Sequence, residues 1–159
     1  MTPVATSTRT LSTLPDTLRF GRVLGSLLTA GDLVILSGSL GAGKTALTKG
    51  IAVGMGVSGL VTSPTFVLAR VHAAGAGGVS LVHVDAYRLA GSVELDDLDL
   101  DTDLTAAAVV VEWGEGVAER LSQTRLTIAL ERLPDDSRMA RIEAAGSEWE
   151  RRLPVLLAG

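Results

Sequence analysis

The chain has 159 residues, of which 47% are hydrophobic and 20% are charged, and its net charge is −4. This length and composition predict one globular domain, and the acidic balance excludes a bulk basic surface for nucleic acid. The sequence contains no cysteine, which excludes disulfides and thiolate metal sites, and it has no apolar stretch long enough to span a membrane.

The first part of the chain predicts a flexible terminus followed by a single domain over residues 14–159. Residues 1–13 are rich in Thr and Ser and lack both an apolar period and the core of a signal peptide, so they are expected to be flexible and the protein cytoplasmic. A helix is predicted from Asp16, because apolar residues recur on one face, and Gly31 is its expected stop. Leu33–Leu36 is short and apolar, which predicts a buried central strand.

A glycine-rich motif follows this strand. Gly38–Thr45 matches the pattern G-x-x-x-x-G-K-[ST] at every fixed position and precedes a predicted helix that ends near Gly54 or Gly56. Glycines let the backbone curve so that successive N–H groups point at phosphate oxygens, and the positive end of the helix adds to that field. Lys44 is predicted to reach the β- and γ-phosphates, and the Thr45 hydroxyl to hold Mg²⁺. The predicted nucleotide-binding residues of this loop are Gly38, Ser39, Leu40, Gly41, Ala42, Gly43, Lys44 and Thr45.

The rest of the chain predicts a mixed sheet. Val67–Val71 and Val79–Val84 are strand-like runs joined by a glycine-rich link, which is typical of an antiparallel hairpin. Leucines and carboxylates in residues 94–101 predict a short amphipathic helix, and Pro154 is expected to limit any helix near the C terminus. Further strands are predicted at Ala108–Val111, Leu126–Leu130 and Met139–Ala144, with a helix over Val117–Leu121. The predicted fold class is therefore α/β: a P-loop NTPase-like three-layer sandwich around a small mixed sheet, mostly parallel and partly antiparallel.

Two carboxylates at strand ends are candidates to complete the site. Asp85 follows Leu81–Val84 and Glu112 follows Val109–Val111, where open α/β sheets bind their ligands. Asp85 could position the attacking water while Glu112 binds Mg²⁺, and the sequence equally allows the reverse. The purely structural alternative is that each carboxylate only caps the segment that follows its strand. The predicted metal ligands are thus Thr45, Glu112 and Asp85. Thr65 lies where a hydroxyl could sense the γ-phosphate, although alone it is more typical of a turn hydroxyl.

Other residues narrow the class of ligand and reaction. The chain contains no asparagine, so the Asn-Lys-x-Asp segment of common GTPases is missing and ATP is favoured. His83 is expected to be a hydrogen-bonded structural residue, and Trp113 to lie either in the core or near the nucleotide. A stand-alone P-loop kinase of a small metabolite or nucleotide is the alternative function, although no Arg pair occupies a lid-like stretch. A nucleotide-binding module without hydrolysis is a third.

Four motifs, in this order, carry a family resemblance. They are Ser39–Thr45, Ser63–Phe66, His83–Leu89 and Val111–Glu115. Together they resemble the TsaE (also called YjeE) family, small bacterial ATPases of tRNA threonylcarbamoyladenosine biosynthesis. The resemblance covers most of the chain, from the first helix to the region of Arg138.

The resemblance implies a P-loop α/β fold, weak Mg²⁺-dependent ATPase activity and a complex with the TsaB and TsaD proteins. In that family TsaD with TsaB transfers the threonylcarbamoyl group to the adenosine next to certain anticodons, and the TsaE-type subunit uses ATP hydrolysis to reset the complex. The tRNA is then reached indirectly, through the complex. By position, the resemblance gives Lys44 and Thr45 to the phosphates and Mg²⁺, Glu112 to the metal site, and Asp85 to a functionally important carboxylate. It further implies nucleotide contacts from Glu115 and Arg138 and, before the first helix, from Asp16 and Thr17.

Two positions depart from the family pattern. Ser39 stands where an acidic residue is usual, a mild change because the backbone makes the loop contacts. Ala46 stands where a second threonine often follows the first. This removes one hydroxyl near the α-phosphate and is expected to weaken binding by roughly one neutral hydrogen bond.

Overall fold

The computed structural model describes residues 4–39, 41–57, 69–73, 78–86, 106–113 and 118–159. In chain order, their elements are β1 (Val4–Leu11), α1 (Leu14–Leu27), β2 (Leu33–Gly38), α2 (Lys44–Met55), β3 (Ala69–His72), β4 (Ser80–Asp85), β5 (Ala107–Glu112), a 3₁₀ turn (Glu119–Leu121), β6 (Arg125–Arg132), β7 (Arg138–Ala145) and α3 (Ser147–Ala158).

These strands form one mixed sheet in the order β1-β7-β6-β2-β5-β4-β3. The central pairs β6–β2, β2–β5 and β5–β4 are parallel, whereas β1–β7, β7–β6 and β4–β3 are antiparallel. The predicted α/β class with a mixed sheet is therefore confirmed, and so is the hairpin, because β3 and β4 pair antiparallel. The parallel centre explains the continuous apolar runs, since strands covered on both faces bury every side chain.

Alternate residues of the central strands enter two different cores. Val34 and Leu36 face α1, α2 and α3, which all pack on the same side of the sheet. Leu33 and Ile35 face the opposite side, where Ala118 also packs. The Gly38 end of β2 therefore leads directly onto the helix-covered face.

Helices α1 and α2 are in unusually close contact through glycines. A Cβ on Gly25 would lie 2.1 Å from the Ile51 carbonyl oxygen, and a Cβ on Gly50 would lie 2.4 Å from the Leu18 carbonyl oxygen. Gly21 and Gly54 make equally tight backbone approaches. These glycines lie four residues apart on each helix, so they share one face. This spacing is present in the sequence but was not predicted to matter.

The N-terminal prediction was wrong for the described residues from 4 onward. Instead of a flexible terminus, β1 pairs with β7 along its whole length. One face of this edge strand carries the buried Leu11, while Arg9 donates to the carbonyl oxygens of Leu157 at 2.9 Å and Gly159 at 2.7 Å. An edge strand needs only one buried face, which the apolar-period criterion does not detect.

Contrary to the prediction, Pro154 does not end the last helix. Helix α3 continues through it to Ala158. A proline inside a helix costs about 3 kcal/mol. Burying a large apolar side chain contributes about 1.5–3 kcal/mol, and Trp149, Leu153 and Leu156 are all buried. Tertiary packing therefore outweighs the local preference.

Smaller differences concern helix ends. Helix α1 begins at Leu14 and ends at Leu27, before the expected stop at Gly31, whereas α2 ends at Met55 with Gly56 as its left-handed cap, as predicted. The helix predicted over 117–121 is the shorter 3₁₀ turn, and the helix predicted at 94–101 lies outside the described residues. Among the helices described, none is long and apolar enough to cross a membrane.

Candidate functional site

The glycine-rich loop joins the carboxyl end of β2 to the start of α2. Gly38, Gly41 and Gly43 have φ angles of 134°, 80° and 108°, values that side chains disfavour. Gly43 is the N-cap of α2 and supplies no side-chain hydrogen bond. The first N–H groups of α2 therefore have no side-chain cap, which is the arrangement that binds phosphate at a helix N-terminus.

Lys44 is folded onto its own loop. Its Nζ donates to the carbonyl oxygens of Gly38 at 2.7 Å and Ser39 at 3.0 Å, and lies 4.0 Å from the centroid of the Trp113 ring. Burial lowers the pKa of Lys44, and the negative charges of Glu112 and Asp85 act in the opposite direction. The ammonium group is thus held at the loop by acceptors that a phosphate could replace.

The structure brings Asp85 and Glu112 together, each at the strand end where the sequence predicted it. They are register partners at the ends of β4 and β5, and both are buried. The residues before them, Val84 and Val111, pack in the core on the other side of the sheet, so both carboxylates point to the face that carries α2.

A cavity of about 210 Å³ lies between the loop and this edge of the sheet. Its lining residues are Gly41, Gly43, Lys44, Thr45, Ala46, Glu112 and Trp113. Asp85 is not among them.

His83 contacts the Glu112 carboxylate from within the sheet. Its side chain is fully buried, and Nε2 lies within hydrogen-bond distance of Glu112 Oε2. Within the described part of the chain, Nδ1 has no hydrogen-bond partner. The sequence predicted a hydrogen-bonded structural histidine here, but it did not indicate Glu112 as the partner.

Trp113 forms the wall of the cavity opposite the loop. Its φ of 63° lies in the left-handed region, which is uncommon for a non-glycine residue. Its backbone N–H donates to the Leu36 carbonyl oxygen at 2.8 Å, which anchors the turn beside β2. Its half-buried ring therefore lies over Lys44 rather than within the core.

A second cavity, of about 410 Å³, adjoins the first, because Gly43 and Ala46 line both. Thr17 and Arg138 line this second cavity, and their predicted contact with a nucleotide stays a prediction. Asp16 does not line it. Its carboxylate instead accepts from the Thr13 N–H at 3.0 Å and from the Arg19 side chain at 3.2 Å.

Asp16 thus completes a capping box at the start of α1. The hydrogen bonds from Thr13 are the main cause of the lowered pKa of Asp16. This cap accounts for the carboxylate without a nucleotide.

Arg138 holds the loop from outside. Its Nε donates to the Ala42 carbonyl oxygen at 3.0 Å, and one terminal nitrogen lies 3.4 Å from the Gly41 carbonyl oxygen. The other terminal nitrogen donates to the Asp136 carbonyl oxygen at 2.6 Å. The loop carbonyl groups therefore accept hydrogen bonds from Lys44 on one side of the loop and from Arg138 on the other. Three predicted site residues, Leu40, Thr65 and Glu115, lie outside the described residues.

The residues present fit a magnesium ion bound together with phosphate. Thr45 and Glu112 line the same cavity, and hydroxyl and carboxylate oxygens are the ligands that Mg²⁺ prefers. Across the described ranges, no group of three or more His, Cys, Asp or Glu side chains could hold a metal alone. Sharing the ion with substrate phosphates is the usual arrangement for Mg²⁺.

The strand, the left-handed glycines, the lysine and the carboxylates at neighbouring strand ends together define a P-loop α/β protein. The profile of the family described as "Threonylcarbamoyl adenosine biosynthesis protein TsaE" matches residues 11–140. The chain belongs to the TsaE family.

Individual relatives agree with this assignment. The chain is 57% identical over 141 residues to the tRNA threonylcarbamoyladenosine biosynthesis protein TsaE of Mycobacterium tuberculosis, covering 84% of each chain. It is 51% identical over 144 residues to the protein of the same name from Streptomyces coelicolor, covering 87% of this chain and 97% of the relative. The crystal structure of Bacillus subtilis YdiB superposes with a TM-score of 0.79 at 29% identity, over 98% of this chain and 97% of YdiB.

Proposed function

We propose that this chain binds ATP with Mg²⁺, hydrolyses it slowly, and serves in the cytoplasm as the ATPase subunit of tRNA threonylcarbamoyladenosine modification. It acts through a complex of TsaB and TsaD, and reaches tRNA only through that complex. One observation carries the proposal: the loop lysine, the loop hydroxyl and a strand-end carboxylate all line one cavity. Family membership supports the pathway.

The residues of the site divide the work of hydrolysis between them. Loop N–H groups bind the phosphates, and Lys44 exchanges the carbonyl oxygens of Gly38 and Ser39 for phosphate oxygens. Mg²⁺, when bound, neutralises developing charge on the phosphates. Thr45 and Glu112 would hold it, since both line the cavity. Asp85, the register partner of Glu112, would then orient the attacking water. The water oxygen bonds to the γ-phosphorus as the bond from that phosphorus to the bridging oxygen breaks. The bridging oxygen leaves on ADP with the bonding electrons, and the protons of the water go to the phosphate product.

The partner half of the proposal is tested by co-purification of this chain with TsaB and TsaD, with and without ATP. We expect ATP to change the amount retained and the partners to accelerate ATP turnover. Unchanged turnover and unchanged nucleotide affinity would refute the partnership. Transfer of phosphate to a metabolite in place of water would instead favour a stand-alone kinase.

The hydrolysis half is tested by Glu112→Ala at saturating ATP. We expect impaired Mg²⁺-dependent hydrolysis, because a metal-site carboxylate is lost. Glu143→Ala is the matched control, since Glu143 is exposed on β7 and pairs with Thr127, away from the end of the sheet that carries the loop. A normal rate in Glu112→Ala would remove Glu112 from the site.

A further inference from the structure

His83 is a buried polar residue that the proposed mechanism does not use. Its side chain has no exposed surface, and its Nε2 meets the Glu112 carboxylate. Placing a polar ring in a sheet interior carries a desolvation penalty that an apolar residue would avoid. The valines that flank it on β4, Val82 and Val84, pack in the core on the opposite side of the sheet, so His83 projects to the helix-covered face that the carboxylates share.

The register of the sheet explains how this contact arises. His83 pairs with Val110 across the parallel strands β4 and β5, and Glu112 lies two residues beyond Val110 on the same face. Asp85 stands two residues beyond His83, beside Glu112. The imidazole therefore lies two residues before the carboxylates in the direction of the strands, on the side away from the loop.

The chemistry of the contact has a direction. A carboxylate that holds a metal ion carries no proton, so in the proposed site the ring donates through Nε2 and Glu112 accepts. One carboxylate oxygen, Oε2, is bound in this way, while the residue also lines the cavity that Lys44 and Thr45 share. A carboxylate fixed through one oxygen has a defined rotation, and the other oxygen then has a defined direction.

We propose that His83 is a positioning residue, which orients Glu112 for the magnesium ion of the proposed ATP site. This inference rests on the proposed function, and it assigns to His83 no contact with nucleotide or metal. Partners that hold metal ligands in place are worth about 10–100-fold in metal affinity or activity.

Two amide substitutions separate positioning from packing. In His83→Gln the side-chain nitrogen can occupy the place of Nε2, whereas in His83→Asn it reaches only the place of Nδ1. The measurement is the Mg²⁺ concentration needed to strengthen binding of a non-hydrolysable ATP analogue, followed by calorimetry, with thermal melting to check folding. We expect His83→Asn to need about 10-fold or more Mg²⁺, and His83→Gln to recover most of the difference. Equal requirements for the two variants would overturn the role of His83.

A second measurement needs no substitution. Nitrogen-15 spectra of the His83 ring are recorded without ligand and then with Mg²⁺ and the analogue. We expect a proton on Nε2 whose resonance shifts when Mg²⁺ is added, and an unchanged resonance would overturn the proposal. The unsubstituted protein also serves as the reference for the proposed function. If its analogue binding does not depend on Mg²⁺, the proposed function itself fails. If it does and the two variants are alike, only the positioning role fails.

Discussion

The two halves of the sheet use their charged residues in opposite ways. In the parallel half, β2, β5 and β4 end at the same edge, so the loop lysine, Asp85 and Glu112 converge on one place. In the antiparallel half, the strands share no common end. There Arg9 donates hydrogen bonds to carbonyl oxygens at the end of α3, and Arg138 donates to a carbonyl oxygen on the outside of the loop. Strand direction decides whether a charged side chain lies at the end of the sheet where Lys44, Asp85 and Glu112 meet, or acts on the loop or the fold from outside.

The sharpest test of this contrast is removal of the lysine on the parallel side. Lys44→Ala is expected to weaken ATP binding by about 10- to 100-fold, the range for hydrogen bonds to charged groups. Calorimetric titration with ATP measures the loss. Lys49→Ala is the matched control, because the chain's other lysine is exposed on the same helix. ATP affinity retained in Lys44→Ala would remove the loop from the site.

The second test disturbs the packing of α2, the helix that follows the loop, and leaves the loop itself unchanged. Gly25→Ala would place a methyl group 2.1 Å from the Ile51 carbonyl oxygen, so the backbones of α1 and α2 must separate. Such overpacking is expected to lower the free energy of unfolding by about 1–3 kcal/mol, measurable by urea denaturation. Ser26→Ala, on the exposed side of the same helix, is expected to change it far less. Equal stabilities would show that the helices adapt.

The third test addresses the one arginine that links the halves. Arg138→Met removes two donors from the loop carbonyls of Ala42 and Gly41, and we expect ATP affinity to fall about 10-fold, with the fold retained. Arg141→Met is the control, because Arg141 is exposed on the same strand. Unfolding of Arg138→Met at ordinary temperature would instead place Arg138 among the residues that hold the fold together.

The fourth test concerns the antiparallel edge alone. Arg9→Met removes the hydrogen bonds to the Leu157 and Gly159 carbonyl oxygens and is expected to lower the unfolding free energy by about 1 kcal/mol. ATP affinity should not change, in contrast to the first and third variants. Arg22→Met, on an exposed position of α1, provides the reference. A matching loss of ATP affinity would contradict the division of the sheet.

The smallest expected effect is a pH dependence from Lys44. Burial lowers its folded-state pKa below the ordinary 10.5, so in this range the unfolded chain binds more protons than the folded chain. The free energy of unfolding should therefore rise as the pH approaches 10.5, and Lys44→Met should remove that increment. Denaturation as a function of pH measures it, with Lys49→Met as the control. A fall in stability attributable to Lys44 over this range would contradict the sign.

The parallel half was largely predictable from the sequence. The apolar run Leu33–Leu36, the glycine motif and the two strand-end carboxylates are local patterns with strong physical meaning. The antiparallel margin was not predicted in full. In β1 the inward-facing positions are Ala5, Ser7, Arg9 and Leu11, of which only Ala5 and Leu11 are apolar. Its pairing partner lies more than a hundred residues away, so no local pattern reveals it.

The site shows the same limit. That Asp85 and Glu112 lie side by side follows from predicted strand ends once the strands are adjacent, but the His83–Glu112 contact needs the register itself. The glycine spacing of α1 and α2 was visible in the sequence and went unrecognised. Asp16 was assigned toward a nucleotide by resemblance, whereas the structure shows it capping a helix. The predicted roles of Leu40, Thr65 and Glu115 stay predictions.

The placement of Trp113 also provides an optical readout. The chain has two tryptophans. Trp149, in α3, is fully buried in the core on the helix-covered face of the sheet. Trp113 is half-buried, and its ring lies over the Lys44 ammonium. If Lys44 turns toward a bound phosphate, as we propose, the electrostatic surroundings of the Trp113 indole change and those of the Trp149 indole do not. In a Trp149→Phe background, intrinsic fluorescence would then report occupancy of the loop from a single chromophore, without any label attached to the protein or the nucleotide.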